Sequence, residues 1–263
     1  SKFKTIWPAD LHIIGKDIIR FHCVYWPAFL MAADLPLPKR IFAHGWWTIE
    51  GQKMSKSLGN AIDPNSLIDE FGLDQLRYFL LREVTFGNDG DFSKQALIHR
   101  SNSELANDFG NLVQRVLSMI YKNCNSKIPN FQDLTKDDLE IIDNSKSLAD
   151  NLRPLIDKQS FNESLETVLI VVRSANSYID KQAPWELKKN SPERMNTVLY
   201  TLSKVIYNLG IIMQPFTPIA ADKILTQLNV PDNARSFSFI NSDSHIAPGL
   251  LINKPVPVFR KFE

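Results

Sequence analysis

Cysteine is scarce in this sequence. Its 263 residues include two, Cys23 and Cys124, too few for a disulfide framework and unable by themselves to form a cysteine-rich zinc site. That usage fits a reducing compartment, the cytoplasm. No apolar run approaches the ~20 residues needed to cross a bilayer, so no membrane partner is expected. Net charge is small too: 30 Lys+Arg against 29 Asp+Glu leave +1, which gives no overall field of the kind that announces a nucleic acid or a membrane surface. A local basic stripe could still hold a polyanion. The opening Ser1-Lys2-Phe3-Lys4-Thr5-Ile6-Trp7 has neither a signal-peptide design nor an initiator methionine, as expected of a piece of a longer protein. No repeat or low-complexity segment is visible. What remains is a globular composition, 44% hydrophobic and 22% charged, at a length that predicts about two domains.

The sequence changes character near residue 92, which predicts one domain over 1–92 and another over 93–263. In the first, Leu11–Gly15 reads as a strand, Asp17–Met31 as a helix and Arg40–Ile49 as a second strand, with Pro36 and Pro38 in the connection. Strand, helix, strand is a βαβ unit of a parallel sheet, whose ligand crevice opens off the carboxyl ends of the strands, beside Gly15 and Gly45. So small a unit is an α/β remnant whose partner strands lie elsewhere. After residue 92 the period is helical. Leu105, Phe109, Leu112, Val116 and Ile120 form one apolar stripe. Thr135 with Asp138 opens a second helix that Pro154 should kink or end, and Ser160 with Glu163 makes a capping box for a third. Ser191-Pro192 and Thr217-Pro218 each place proline at a first helical position. Four or five such helices with short connections predict an all-α helical bundle, and the segment from Asn229 to Glu263 should wrap back over its surface.

Lys53-Met54-Ser55-Lys56-Ser57, flanked by Gly51 and Gly59, is the strongest local signal for chemistry. Two ammonium groups with hydroxyls between them suit phosphate oxygens, because they neutralise charge as it develops on a leaving pyrophosphate. A solvated Lys/Ser surface loop is the competing reading. In the helical part, Asn107, Asn111 and Arg115 recur every four residues beside the apolar stripe. Such a face reads base edges and grips phosphate, or is simply solvated. Pro184-Trp185 closes another helix and displays an indole on which an unpaired base could stack, unless the ring caps the bundle core. Lys188 and Lys189 either add phosphate contacts or complement a helix end.

The order Lys-Met-Ser-Lys-Ser is the signature loop of class I aminoacyl-tRNA synthetases. Together with Asp10–His22, read as Asp-Leu-His-Ile-Ile-Gly-Lys-Asp-Ile-Ile-Arg-Phe-His, and with His44-Gly45-Trp46, it resembles the methionyl-tRNA synthetases from about Trp7 to Glu263. The resemblance implies a Rossmann-type catalytic domain followed by a helical anticodon-binding domain, and ligation of methionine to tRNA-Met with a CAU anticodon at the expense of ATP with Mg2+. By the same resemblance Lys53 and Lys56 stabilise the ATP phosphates, with Ser55 and Ser57 holding the loop. Gly15 and Asp17 approach the ribose, and His44 and Trp47 lie where the family packs the adenine. Ile18 and His22 line the methionine side-chain pocket. Asn111, Arg115, Pro184 and Trp185 bind the anticodon. Without the resemblance, Asp17 reads as a helix N-cap, His22 as a core histidine and Trp46-Trp47 as plain core. None of His12, His22, His44, His99 and His245 stands in the family's His-x-Gly-His pattern. In the family that pattern and the zinc-binding insertion both lie upstream of Ser1, so zinc belongs, if anywhere, to a missing N-terminal part, and this chain is expected to hold no metal. A chain with half an ATP site should not form the adenylate alone, and a non-catalytic anticodon-binding module is the alternative.

Overall fold

A computed structural model describes residues 2–49, 51–54, 61–240 and 242–263 of the chain. They form two compact units, one of Ser1–Ile62 with Glu83–Ser93 and the other of Asp63–Arg82 with Lys94–Glu263. The division in space therefore differs from a single boundary near residue 92. Two helices before it belong with the helical unit, because Leu67, Phe71, Leu76, Tyr78 and Phe79 are buried there. Asp63-Pro64, an N-cap followed by proline, was their signal in the sequence: the Asp63 side chain accepts from the Asn65 amide at 3.0 Å.

In the first unit, α1 (Lys2–Ile6) leads into β1 (His12–Gly15), which pairs in parallel with β2 (Ile41–His44). The register runs from His12 opposite Ile41 to Gly15 opposite His44, as a βαβ unit requires. The expected single helix from Asp17 to Met31 is broken into a 3-10 turn (Lys16–Ile18), a π-helical turn (Phe21–Tyr25) and α2 (Trp26–Ala32). Pro27, within the first turn of α2, has no amide hydrogen to continue the α-helical ladder, and the wider turn accommodates the break. The strand expected over Arg40–Ile49 is also two elements. After Gly45 the chain enters a second sheet, in which β3 (Trp47–Ile49) lies between β4 (Gln52–Lys53), antiparallel, and β5 (Gly90–Phe92), parallel.

The second unit contains α3 (Pro64–Phe71), α4 (Leu73–Arg82), α5 (Lys94–Arg100), a π-helical segment (Ser101–Gly110), α6 (Asn111–Asn123), α7 (Lys136–Lys146), α8 (Leu148–Asp157), α9 (Phe161–Gln182), α10 (Pro184–Asn190), α11 (Pro192–Met213) and α12 (Pro218–Gln227). The axis of its core is α11, buried on every side from Thr197 to Met213 except at Lys204. The stripe Leu105, Phe109, Leu112, Val116 and Ile120 is fully buried, as its spacing predicts. Thr135 and Asp138 form the expected capping box. Ser160 and Glu163 do not: Ser160 follows Gln159 in the left-handed region (φ 58°), and its side chain makes no cap bond. Pro154 neither ends nor interrupts α8. The break falls at Ser147 instead, and the carbonyl that Pro154 leaves without a donor lies on a solvent-facing turn beside exposed Asp150. Thr217 likewise makes no side-chain cap for α12. That end is capped from α4 by Asp74, which accepts from the amides of Ile219 (3.2 Å) and Ala220 (2.6 Å). The last segment returns over the bundle with Val230, Ile246, Ile252, Val258 and Phe259 buried.

Asp138 is fully buried, and the Arg194 guanidinium meets it with two hydrogen bonds of 2.5 and 2.8 Å, joined by the Tyr178 hydroxyl and the Thr135 amide. Burial alone would raise its carboxyl, but the bonds from Arg194, Tyr178 and Thr135 outweigh it and bring the pKa down to about 2. A carboxylate that titrates near 3.9 in the unfolded chain thus contributes on the order of 2 kcal/mol, complete above about pH 4 and lost as pH falls towards 2. In urea unfolding at constant ionic strength, wild type and Asp138→Asn should converge over that interval. A stability gap that ignores pH would contradict the assignment.

Candidate functional site

In the first unit, Gly15, Asp17 and His44 converge at the carboxyl ends of the two parallel strands. A Cβ on Gly15 would lie 2.4 Å from Asp17 Oδ1 and 4.0 Å from His44 Cε1, so the glycine makes room for the carboxylate beside it. Asp17 is exposed within the 3-10 turn and caps no helix there. His44 Nδ1 lies 2.8 Å from the Gly45 carbonyl. A carbonyl only accepts, so Nδ1 carries the proton and Nε2 is left as an acceptor. Gly45 is buried against the backbone of Asn88, whose oxygen would be 2.2 Å from an added Cβ. Next to it, Asp89 accepts from Lys16 Nζ at 2.7 Å and from the Trp46 amide at 2.8 Å, while Lys16 sits 4.3 Å from the Trp46 ring centroid. Lys16, then the Trp46 amide, hold the Asp89 carboxyl below its usual range.

The start of the lysine motif is fixed by a second carboxylate. Lys53 pairs with Thr48 across the β3–β4 hairpin, whose turn passes through Gly51 at φ 76°. Asp91 accepts from Thr48 Oγ1 at 2.5 Å and from the Gly51 amide at 2.9 Å, and both bonds lower its pKa. Ser55, Lys56 and Ser57 lie outside the described residues. Ile18 is exposed and His22 half-buried. His22 Nδ1 donates to the Ile18 carbonyl at 3.0 Å, again leaving Nε2 as an acceptor. Around His22 the structure gathers aromatic groups: the rings of His12 and His22 are 6.4 Å apart, His12 is 6.1 Å from Trp7, and Trp7 meets Trp26 edge-on at 6.1 Å. Trp46 is 38% exposed, which argues against plain core, and the Trp47 ring is half-buried against Gly90. Among the described residues, no three His, Cys, Asp or Glu side chains stand close enough together to hold a metal ion.

In the second unit, Asn107 and Asn111 are exposed and Arg115 half-buried on consecutive turns. The structure brings Arg115 and Trp185 together: the guanidinium lies 5.2 Å from the indole centroid and pairs with Asp180 at 2.6 Å. Trp185 is 42% exposed, whereas Pro184 is buried, so the proline anchors the corner and the indole is presented. Asn176, one helical turn before Asp180, donates to the Asp108 carbonyl at 2.9 Å and ties α9 to the π-helical segment that carries Asn107. Lys188 and Lys189 are exposed in the last turn of α10.

Residues 1–117 match the family model of class I tRNA synthetases (M), and residues 128–263 match that of the anticodon binding domain of methionyl tRNA ligase. The chain belongs to the methionyl-tRNA ligase family. It is 51% identical to the methionine–tRNA ligase of Rickettsia felis over 266 aligned positions, covering 100% of this chain and 52% of that protein. Against the enzyme of Brucella suis it is 50% identical, with 97% and 50% covered. The Mycobacterium tuberculosis methionyl-tRNA synthetase solved in complex with methionyl-adenylate superimposes with a TM-score of 0.94 at 44% identity, covering 98% of this chain and 51% of that one. The chain spans about half the length of the relatives it matches. No helix among the described residues is long and apolar enough to cross a membrane.

Several residues that shape these sites were passed over in the sequence. Lys16 stands inside the Gly-Lys-Asp block, yet nothing local reveals its partner Asp89, 73 residues on. Gly87-Asn88-Asp89-Gly90-Asp91 is a plain turn signal, and no periodicity says which sheet it returns to. Trp7, His12, Trp26 and Asp180 carry no motif of their own. Gly45→Ala should destabilise the first unit by about 1–3 kcal/mol, because backbone, unlike a flexible side chain, cannot move out of the way of the new methyl. Amide hydrogen exchange at β1, β2 and β5 in the mutant would report it. Exchange at the wild-type rate would mean the 88–89 segment does not press on Gly45.

Proposed function

We propose that this chain serves a methionine–tRNA ligase, contributing the lysine-loop side of the adenylation site and the anticodon reader. The observation that carries the reading is a guanidinium and an exposed indole, Arg115 and Trp185, paired on a domain whose family model is an anticodon binder. Single-stranded anticodon bases splay and stack on such rings, while Asn111 is exposed to meet base edges and Arg115 a phosphate or base. The cognate RNA would be tRNA-Met with its CAU anticodon. Lys188 and Lys189 add charge for its backbone.

In the activation step methionine and ATP give methionyl-adenylate and pyrophosphate, after which the methionyl group passes to the tRNA 3′ end. Asp17 would accept the ribose hydroxyls where Gly15 leaves room, and His44 Nε2 with the Trp47 strand would face the adenine. Lys53 and Lys56 would neutralise charge on the departing pyrophosphate, with Ser55 and Ser57 holding the loop. Ile18 and His22, backed by the aromatic group of Trp7 and Trp26, would receive the thioether of methionine, a side chain that packs well on rings. Mg2+ would arrive on the ATP phosphates, since the strand ends provide no cage of carboxylates for it. By itself the chain is expected to bind tRNA without forming the adenylate, since positioning of both reactants supplies much of the rate.

Two substitutions test this. Trp185→Ala should weaken binding of CAU-bearing tRNA by roughly 1–3 kcal/mol at fixed, stated salt, and full retained affinity would retire the stacking role. In a full-length ligase carrying this sequence, Lys56→Ala should slow adenylation far more than it weakens methionine binding. An equal loss in methionine affinity would point to a collapsed pocket instead.

A further inference from the structure

Ala183, between the last residue of α9 and Pro184, lies in the left-handed region at φ 43° and ψ 59°. That conformation is unfavourable for a residue with a Cβ, and a following proline steers its neighbour towards extended backbone. Something in the surroundings must therefore hold it. Helix α9 ends one residue earlier at Gln182, whose side chain is gripped on both ends. Its Oε1 accepts from Arg194 Nη2 at 2.8 Å, and its Nε2 lies 3.4 Å from Asp137 Oδ2. Arg194 is itself fixed by two bonds to buried Asp138, and Asp137 also holds Lys181 at 2.6 Å. The first turn of α7 thus clamps the last turn of α9.

We infer that Gln182 is a positioning residue for the base-reading corner: held by Arg194 and Asp137, it keeps Ala183 left-handed and so turns Trp185 towards Arg115. The inference rests on the reading of Trp185 as the stacking residue. With the lock removed, Ala183 relaxes to extended backbone and the indole leaves its place, while the bonds between Asp138 and Arg194 remain to hold the fold. Glycine at 183 tolerates the left-handed state, so it should compensate for loss of the lock.

The test is a titration of this chain with an anticodon stem–loop bearing CAU, and with one whose loop carries a single base change, at one salt concentration. Gln182→Met should weaken CAU binding by about fivefold or more and compress the preference over the changed loop, with the thermal midpoint nearly unmoved. Gln182→Met/Ala183→Gly should recover most of both. If Gln182→Met binds like wild type while Trp185→Ala does not, the positioning role falls and the stacking reading stands. If Gln182→Met weakens both loops equally and Ala183→Gly rescues neither, Gln182 is merely structural and the inference is overturned. If Trp185→Ala itself binds with full affinity, the reading beneath the inference fails first.

Discussion

A charge with no access to water constrains the helical unit more than any apolar contact does. Asp138 is tolerable inside the bundle only because Arg194, Tyr178 and Thr135 converge on it, and those partners come from α11, α9 and the residue that caps α7. Removing one partner of such a pair typically costs about 3–5 kcal/mol, since it strands the other, whereas hydrophobic contacts nearby tolerate repacking. The pair consequently fixes how three helices meet as well as that they meet. Burial, then Asp138, holds the Tyr178 hydroxyl protonated, so it remains a donor at any physiological pH.

The same economy recurs with exposed groups in the first unit. Asp89 joins the residue after β1 to the backbone beyond β2, and Asp91 joins β3 to the hairpin turn that leads into the lysine motif. Both come from one short return strand. Glu104 plays a comparable part in the helical unit, where it is buried and accepts from the Tyr78 hydroxyl at 2.7 Å and from Arg100 at 2.8 Å, with Arg82 alongside. Carboxylates accept several bonds at once, which makes each a junction where a hydroxyl would serve a single neighbour.

The parts of this fold that were legible in the sequence are those in which a local pattern meets no tertiary competitor. The buried stripe from Leu105 to Ile120, the Thr135–Asp138 box and the parallel pairing of β1 with β2 follow from spacing alone. Ser160–Glu163 has the same letters in the same spacing as a capping box and does not close, because the tight exit from α8 sets the backbone of Ser160 first. Arg40–Ile49 has one strand-like run and serves two sheets, because the contact that bends it at Gly45 comes from Asn88, far along the chain. The candidate sites divide in the same manner. Motif residues such as Gly15, Asp17, Arg115 and Trp185 were found by type and order. The partners that orient them, Asp89, Asp91, Asp180 and Gln182, carry no pattern and are visible only in three dimensions.

The π-helical segment from Ser101 to Gly110 has a consequence of its own. A π turn holds one residue more than the α turn it replaces, so the helix before it and the helix after it are out of phase. Excision of a single residue there would return the segment to α geometry and swing α5 by about 100° relative to α6. Within this long rod the segment works as a vernier: the facing of Asn111 and Arg115 is set by a residue count upstream of them, and a one-residue insertion or deletion in a relative would be read out as a rotated recognition face.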